Sequence, residues 1–221
     1  MTIHLGGFFE SVDLAGAFTN IAALADDLLS TNADRLTVPR LNQLVAISAG
    51  ITSGGQGEAR LNAPSLLNIG NLYVTPVNGN GDADAEPDSP PKVHDLRMNP
   101  IQLVEREQLQ AYGHGNSTSA QAVWVLCWFS DGPVQPISGA RIRSLRCTTS
   151  VTLTADVWTS AVLTPAEELP VGRYQCVGMS GVAAGLVALR MIPKGGGFRP
   201  GALGRDTDAD LEHPMFRLGG M

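Results

Sequence analysis

The amino-acid sequence predicts a mainly β protein, an antiparallel β-sandwich with a helical segment before it and an extended arm after it. Two observations lead to this fold class. Before Leu66, apolar residues recur every three or four positions, which is typical of helices. From Leu66 onward, short alternating runs are separated by turn residues at the spacing of a sandwich or barrel. We therefore predict three parts: residues 1–65, 66–197 and 198–221.

The N-terminal part, residues 1–65, is predicted to be a helical arm. Its stretch SVDLAGAFTNIAALADDLLS begins at Ser11, a residue type that caps helix N-termini. The spacing predicts an amphipathic helix of about five turns that either lies on the sheet or faces a partner. A weaker apolar run after Pro39 predicts a second, short helix. Phe18 and Ile21 on the first helix are candidate assembly contacts.

Residues 66–197 are predicted to form the sandwich, which is interrupted by a long polar loop at residues 76–100. This loop has no apolar period and is rich in Asn, Gly, Asp and Pro. The stretch PIQLVEREQLQAYG is either a helical turn or an edge strand. The clearest strands are AQAVWVLCWF, ARIRSLRCTTS, VTLTADVWTSAVL, GRYQCVGMSGV and GLVALRMIP.

The strand at residues 123–129, VWVLCWF, is apolar on both faces, so something must cover its second face. We expect its odd-numbered side chains, the smaller and more β-branched set, in the sandwich core. The even-numbered set includes Trp124 and Trp128, and aromatic residues are enriched at interfaces. We predict that these two tryptophans contact a neighbouring subunit. Cover by the chain's own N-terminal helices is the alternative.

The composition favours self-association over nucleic-acid binding. Charged residues make up 16% of the chain, whereas about a quarter is usual for soluble domains. So little charge favours assembly that hides surface, or else a secreted or thermostable β domain rich in Ser and Thr. The formal net charge is -6 and no basic arm is present, so we expect no direct contact with a polynucleotide.

The cysteines and the N-terminus indicate a reducing compartment. Cys127, Cys147 and Cys176 stand singly and match no zinc motif or disulfide framework, so we expect three unpaired thiols. Residues 1–10 lack the basic start and apolar run of a signal peptide, and no apolar run reaches about 18 residues. We therefore expect the chain to be made and folded in a cytoplasm.

Motifs for catalysis are absent from the sequence. The four histidines are scattered, and there is no nucleophile elbow, Walker loop or dinucleotide fingerprint. We therefore predict that the protein is not an enzyme and uses no cofactor. Asp82, Asp84, Glu86 and Asp88 resemble the start of a calcium loop, but the glycine at the sixth place and the glutamate at the twelfth are missing. These residues are weak metal candidates, and a solvated acidic loop is the preferred interpretation.

The order of the predicted parts indicates a family. It combines a helical arm, a long polar loop, a series of strands and the phrase LTPAEELPVGRYQCVGM, in which a tight turn at Gly172 leads into a strand. This pattern resembles the single jelly-roll capsid proteins of icosahedral viruses and bacteriophages. The resemblance implies a structural virion protein, made in the host cytoplasm, that assembles with copies of itself and with other virion proteins. It also implies that residues 198–221 form an arm over a neighbour, anchored by Phe198 and Phe216.

The chain departs from this family in one respect, and a second class of protein competes with it. Many small RNA-virus capsid proteins bind the genome through Arg-rich arms, which this acidic chain lacks. Genome contact would then fall to other virion proteins or to an internal membrane. The competing class is a ligand-binding β-sandwich, such as a carbohydrate-binding or host-attachment module. Trp158 would then stack on a sugar ring and the acidic loop would hold calcium.

Overall fold

The structure is a computed structural model of the chain. It describes residues 3–13, 17–26, 28–51, 57–64, 72–74, 93–115, 121–132, 145–166, 168–172, 178–179, 181, 183, 186–194, 197, 199–204 and 216–217. Within those ranges the secondary structure is almost entirely β, which confirms the predicted class. The strands are β1 (Ile3–Val12), β2 (Thr19–Ile21), β3 (Ser30–Asn32), β4 (Arg35–Val38), β5 (Gln43–Ile51), β6 (Gly57–Asn62), β7 (Leu72–Val74), β8 (Val93–Asp95), β9 (Ile101–Gln102), β10 (Glu107–Gly115), β11 (Gln121–Ser130), β12 (Cys147–Thr148), β13 (Thr164–Pro165), β14 (Gly178–Met179), β15 (Ala188–Arg190), β16 (Gly201–Leu203) and β17 (Phe216–Arg217).

The longer strands belong to two antiparallel sheets, which we name A and B. Sheet A has the order β1-β11-β5-β8, and β9 also pairs with β5. Sheet B has the order β3-β4-β10-β6-β7, and β2 also pairs with β10. All of these strands lie between Ile3 and Ser130, which themselves sit opposite each other in the β1–β11 ladder. Residues 1–65 therefore supply strands to both sheets.

A single apolar core fills the space between the two sheets. Leu36, Leu61 and Leu109 come from sheet B, and Phe8 and Ile47 come from sheet A; each is almost completely buried. Burial of each such side chain stabilises the fold by about 1.5 to 3 kcal/mol relative to exposure. The odd-numbered residues of β11 point into this core, as the sequence predicted. They are Val123, Val125, Cys127 and Phe129.

The prediction of two N-terminal helices is wrong. The region assigned to the first helix holds the end of β1 together with β2 and the start of β3, and the run after Pro39 contains β5. An apolar run that is buried on both sides cannot be distinguished from a buried helix by its period alone. Because β1 and β5 flank β11 in sheet A, long-range pairing and burial determine their conformation more than local spacing does.

The outer face of sheet A is covered by a C-terminal part of the chain, residues 186–204, which we name the strap. Its strands β15 and β16 pair with each other. Val187, Ala188 and Leu203 of the strap pack against the even-numbered face of β11, where Trp124 and Trp128 are buried. The second apolar face of VWVLCWF is therefore covered from within the chain, but by the strap and not by N-terminal helices.

Residues 145–172, which we name the exposed segment, depart from the predicted strands. The sequence predicts strands in ARIRSLRCTTS, whose residues 140–144 lie outside the described residues, and in VTLTADVWTSAVL. In the described part of the exposed segment the only strands are the two-residue β12 and β13, which pair with each other. Alternating Thr and Val residues have strand propensity, but a strand also needs neighbours to pack and pair with. The described part of the exposed segment has few such neighbours.

The cysteines in the described residues are free thiols. Cys127 lies in the core and Cys147 is half-buried, while Cys176 lies outside the described residues. Burial raises the pKa of the Cys127 thiol, because the apolar core disfavours the thiolate.

Candidate functional site

The structure places the predicted assembly residues in different parts of the fold. Trp124 and Trp128 lie beneath the strap, and Ile21 lies in the sandwich core. Phe18 is on the outer face of sheet B, where its ring lies 5.3 Å from that of His114. The tryptophans could contact a neighbouring subunit only if the strap moved away.

Several other predicted residues lie wholly or partly outside the described residues. The backbone of Phe216 belongs to β17, which pairs with β14, and nothing further of this side chain is described. Phe198 is outside the described residues, as are the four acidic candidates Asp82, Asp84, Glu86 and Asp88. Elsewhere in the described ranges, no group of three or more His, Cys, Asp or Glu side chains could hold a metal ion.

The most elaborate polar arrangement is a buried cluster of His4, Asp26 and Arg190, which we name the latch. It joins β1, the chain after β2 and the strap. Asp26 Oδ2 accepts hydrogen bonds from His4 Nε2, at 3.0 Å, and from Arg190 Nη1. The side chains of all three residues are nearly inaccessible to solvent. The latch therefore ties the strap to the sandwich by buried charge.

The hydrogen bonds of His4 fix its tautomer and extend the latch to the backbone of the strap. The backbone N–H of Arg199 donates to His4 Nδ1 at 3.1 Å, so the ring hydrogen is on Nε2 and is donated to Asp26. The N–H of Leu5 donates in turn to the carbonyl of Arg199 at 2.9 Å. The imidazole is thus a fixed connector between a carboxylate and a backbone amide.

Asp26 is held in its ionised form. Burial alone would raise its pKa, but hydrogen bonds from His4 and from the amides of Leu28 and Leu29 lower the pKa well below its usual value. The two amides donate to Oδ1 at 2.8 Å and 3.0 Å. With both oxygens occupied, the carboxylate has the stable charge that a buried guanidinium requires as a partner.

The strap also contacts all three tryptophans. Two of them, Trp124 and Trp128, were predicted to lie outside the core, and the third is Trp158. Trp128 Nε1 donates to the carbonyl of Gly201 at 2.7 Å. A Cβ at Gly201 would collide with Leu5, so only glycine allows the strap to come this close to β1. The guanidinium of Arg190 lies 4.3 Å from the ring centre of Trp158, so one ring face is already occupied. Stacking of Trp158 on a sugar ring would therefore have to use its other face.

The exposed segment presents apolar side chains to solvent. Val162 and Val171 are almost fully exposed, at 88% and 108%, and Val157 and Leu163 are more than half exposed. These exposed aliphatic side chains make the exposed segment a candidate interaction surface.

The outer face of sheet B has the opposite character, because it is polar. Along β10 the half-buried or exposed Gln108, Gln110, Tyr112 and His114 alternate with buried residues. Across the sheet, the guanidinium of Arg60 lies 4.3 Å from the ring centre of Phe18 and 4.8 Å from that of Tyr112. This sheet therefore has one wet face.

A pocket of about 170 Å³ opens beside this face, where β6 ends next to β10. Its lining contains three amide side chains and no charged one. The lining residues are Asn62, Ala63, Pro64, Gln108 and Gln110.

Comparison with known proteins gives no family assignment. No protein-family model matches the sequence, and no curated protein matches it significantly. Separately, the described residues contain no helix with the length and apolar character required to cross a membrane.

Sequence reasoning missed the latch entirely. Its members are 22 and 164 positions apart, and none belongs to a recognisable motif. The single local signal is Asp26, two and three residues before the amides that it accepts from, which is the pattern of an Asp-initiated turn. That pattern indicates a turn and gives no indication of a charged cluster.

Proposed function

We propose that this chain is a self-assembling structural protein, the coat subunit of an icosahedral virus or bacteriophage, with a jelly-roll fold. Its partners would be copies of itself and other virion proteins, and it would reside in the virion after synthesis in the host cytoplasm. The observation that carries the proposal is the exposed segment, several of whose aliphatic side chains are left in solvent by the described fold.

The strand order supports the jelly-roll part of the proposal. We count β2–β4 as one position and β8–β9 as another, which gives eight positions along the chain. In sheet A the first position pairs with the eighth, and the third with the sixth. In sheet B the second pairs with the seventh, and the fourth with the fifth. Such nested antiparallel pairing across two sheets is the arrangement of a jelly roll.

A jelly-roll fold alone would not establish assembly, because lectins and enzymes share it. The exposed segment is the feature that favours assembly. Burial of the Val162 and Leu163 side chains on a partner would stabilise the complex by about 25 cal/mol for each Å² of apolar surface removed from water. A backbone with little pairing of its own can also add to a strand edge of another chain, if it becomes extended on binding.

Charge opposes association of copies and does not select the exposed segment. Each copy carries a formal net charge of -6, so two copies repel each other at most orientations. The exposed segment has four charged residues, Arg146, Asp156, Glu167 and Glu168, with a net charge of -2. Association through this segment would therefore depend on its exposed aliphatic side chains. The same acidity disfavours direct genome binding, which other virion proteins or an internal membrane would mediate.

The test replaces exposed apolar side chains with a charge and measures assembly. Val162→Glu and Val171→Glu should leave the fold intact, because both side chains lie in solvent, but should prevent association of copies. Light scattering after size-exclusion chromatography gives the mass of the assembly, and electron microscopy shows whether shells form. Met98→Glu is the matched control, since Met98 is 98% exposed but lies outside the exposed segment.

Two results would contradict the proposal. One is a wild-type protein that stays monomeric at all concentrations and shows no particles. The other is assembly by Val162→Glu and Val171→Glu equal to that of Met98→Glu, which would show that the exposed segment has no part in association.

A further inference from the structure

We propose that Trp158 is a positioning residue for association: its ring, stacked on Arg190, anchors the exposed segment to the strap. Anchored in this way, the segment presents its aliphatic side chains to a partner copy. The inference rests on the proposed self-association and deepens it, because it names the contact that holds the association surface in place.

Hydrogen bonds within the exposed segment shape it without tying it to the sandwich. The strand β12 pairs with β13, and the N–H of Ala166 donates to the carbonyl of Arg146 at 2.8 Å. The N–H of Thr154 donates to Thr159 Oγ1 at 3.1 Å. Each of these bonds joins two residues of the segment itself. They leave attachment to the rest of the fold to other contacts.

Trp158 makes such a contact. Its side chain packs against the apolar cluster on the outer face of sheet A, as Val187 and Leu203 of the strap do. The guanidinium of Arg190 lies 4.3 Å from the ring centre. Trp158 Nε1 is shielded from solvent and makes no hydrogen bond. The ring is therefore held through its face and its apolar edges, and not through its polar atom.

Arg190 is suited to hold the ring because it is fixed and poorly solvated. Its Nη1 donates to Asp26 Oδ2 and, at 3.4 Å, to the carbonyl of Leu5. Its side chain is only 6% exposed. Stacking of a cation on an aromatic ring is stronger when the cation is desolvated. One guanidinium therefore connects the exposed segment to β1 and to the chain after β2.

Anchoring should strengthen association because it limits the conformations of the segment. A protein that is competent to bind for only part of the time loses apparent affinity in proportion to that fraction. Val162 and Leu163 follow Trp158 by four and five positions, so a fixed Trp158 restricts where these exposed side chains lie. A partner copy then has less disorder to remove on binding.

Two substitutions of Trp158 separate cation stacking from simple burial. Trp158→Phe keeps an aromatic face for Arg190 and should associate within about threefold of wild type. Trp158→Leu stays apolar but offers no such face, so the concentration at half-maximal association should rise by about tenfold. Sedimentation velocity over a concentration series measures association, and circular dichroism checks that both variants fold.

A second measurement reads the anchor in separated copies, for which the Val162→Glu background is used. The chain is labelled with fluorotryptophan, and the ¹⁹F signal of Trp158 is identified by its loss in Trp158→Phe. The shift of this signal on transfer to heavy water reports how far the ring is exposed to solvent.

Removal of the cation should release the ring. Asp26→Asn combined with Arg190→Met removes both charges of the latch but keeps an apolar side chain at position 190. The solvent shift of the Trp158 signal should then rise toward that of free fluorotryptophan. The signals of Trp124 and Trp128 are the internal control, because they should keep small solvent shifts while the strap stays attached.

Failure of this inference can be told apart from failure of the proposed assembly. A wild type that never associates, or association unaffected by Val162→Glu, refutes assembly and with it this role of Trp158. If wild type associates and Val162→Glu does not, equal association of Trp158→Leu and wild type overturns the anchor alone. If Trp158→Leu does not fold, the solvent shift still decides.

Two outcomes of the solvent-shift measurement overturn the anchor. An unchanged Trp158 signal in the double variant would show that apolar packing alone holds the ring. An equal rise for Trp124, Trp128 and Trp158 would show that the ring is released only when the whole strap detaches, and not by loss of its stacking on Arg190.

Discussion

Replacement of Asp26 by asparagine should weaken the attachment of the strap. The substitution keeps the size and most of the hydrogen-bonding shape of the side chain, but it removes the charge between His4 and Arg190. The Arg190 side chain is only 6% exposed, so the guanidinium would lose its charged partner and gain little water in exchange.

The expected effect is large. Removal of one member of a buried ion pair typically costs 3 to 5 kcal/mol, because the remaining charge stays desolvated. Asp26→Asn should therefore lower the free energy of unfolding by about 3 to 5 kcal/mol. Asp26→Asn combined with Arg190→Met removes both charges and should be less destabilised than Asp26→Asn alone.

Tryptophan fluorescence during urea unfolding is the appropriate assay. All three tryptophans of the chain, Trp124, Trp128 and Trp158, lie in or against the apolar cluster beneath the strap, so their emission reports on its attachment. Asp34→Asn is the control, since Asp34 is 30% exposed and should cost no more than about 1 kcal/mol. A loss of less than about 1 kcal/mol for Asp26→Asn would refute the reasoning, as would a double variant no more stable than the Asp26→Asn single variant.

Two further predictions concern the pH dependence of stability and the substitution of Gly50. Because the folded-state pKa of Asp26 is lowered, its stabilisation is complete above the unfolded-state pKa of about 4 and declines as the pH falls further. The difference in free energy of unfolding between wild type and Asp26→Asn, measured by urea titration, should thus shrink below about pH 4. A difference that stays constant with pH would show that the stabilisation does not come from the lowered pKa of Asp26. Gly50→Ala would place a Cβ in the ring of Trp124 and should destabilise by about 1 to 3 kcal/mol. The control is Gly132→Ala, whose Cβ would meet nothing within 4 Å and should change the free energy of unfolding by less than about 0.5 kcal/mol. If the two substitutions changed stability equally, overlap with the Trp124 ring could not be the cause.

The β class and the core face of β11 could be predicted because they follow from local pattern. Alternation along residues 123–129 assigns Val123 and Val125 to one face, and the structure buries that face between the sheets. The turn-rich second half of the chain also predicted antiparallel strands, of which β10 and β11 belong to the sheets, whereas the described strands after Ser130 have only two or three residues. These signals depend on neighbours one to three positions away, which a single sequence displays directly.

The cover of the opposite face could not be predicted, because it depends on contacts distant in sequence. Trp128 meets Gly201 across 73 positions, and Asp26 meets Arg190 across 164. The aromatic content of β11 indicated correctly that something covers it, but not whether the cover comes from the same chain. The prediction of the N-terminal helix failed for a related reason, since residues 11–30 pair with strands distant in sequence, as β2 does with β10, and such pairing outweighs a helical spacing of modest length.

The protection of β1 explains why the proposed association should depend on the exposed segment more than on this sheet edge. An edge strand invites addition of another chain through its unpaired backbone groups. Here those groups are already used: the N–H groups of Leu5 and Phe9 donate to the carbonyls of Arg199 and Ala22, and the carbonyl of Gly7 accepts from Leu24. Addition at this edge would first have to displace the strap and the chain after β2, together with the latch between them. The exposed segment requires no such opening, so a charge placed at Val162 should affect association while leaving β1 and its cover intact.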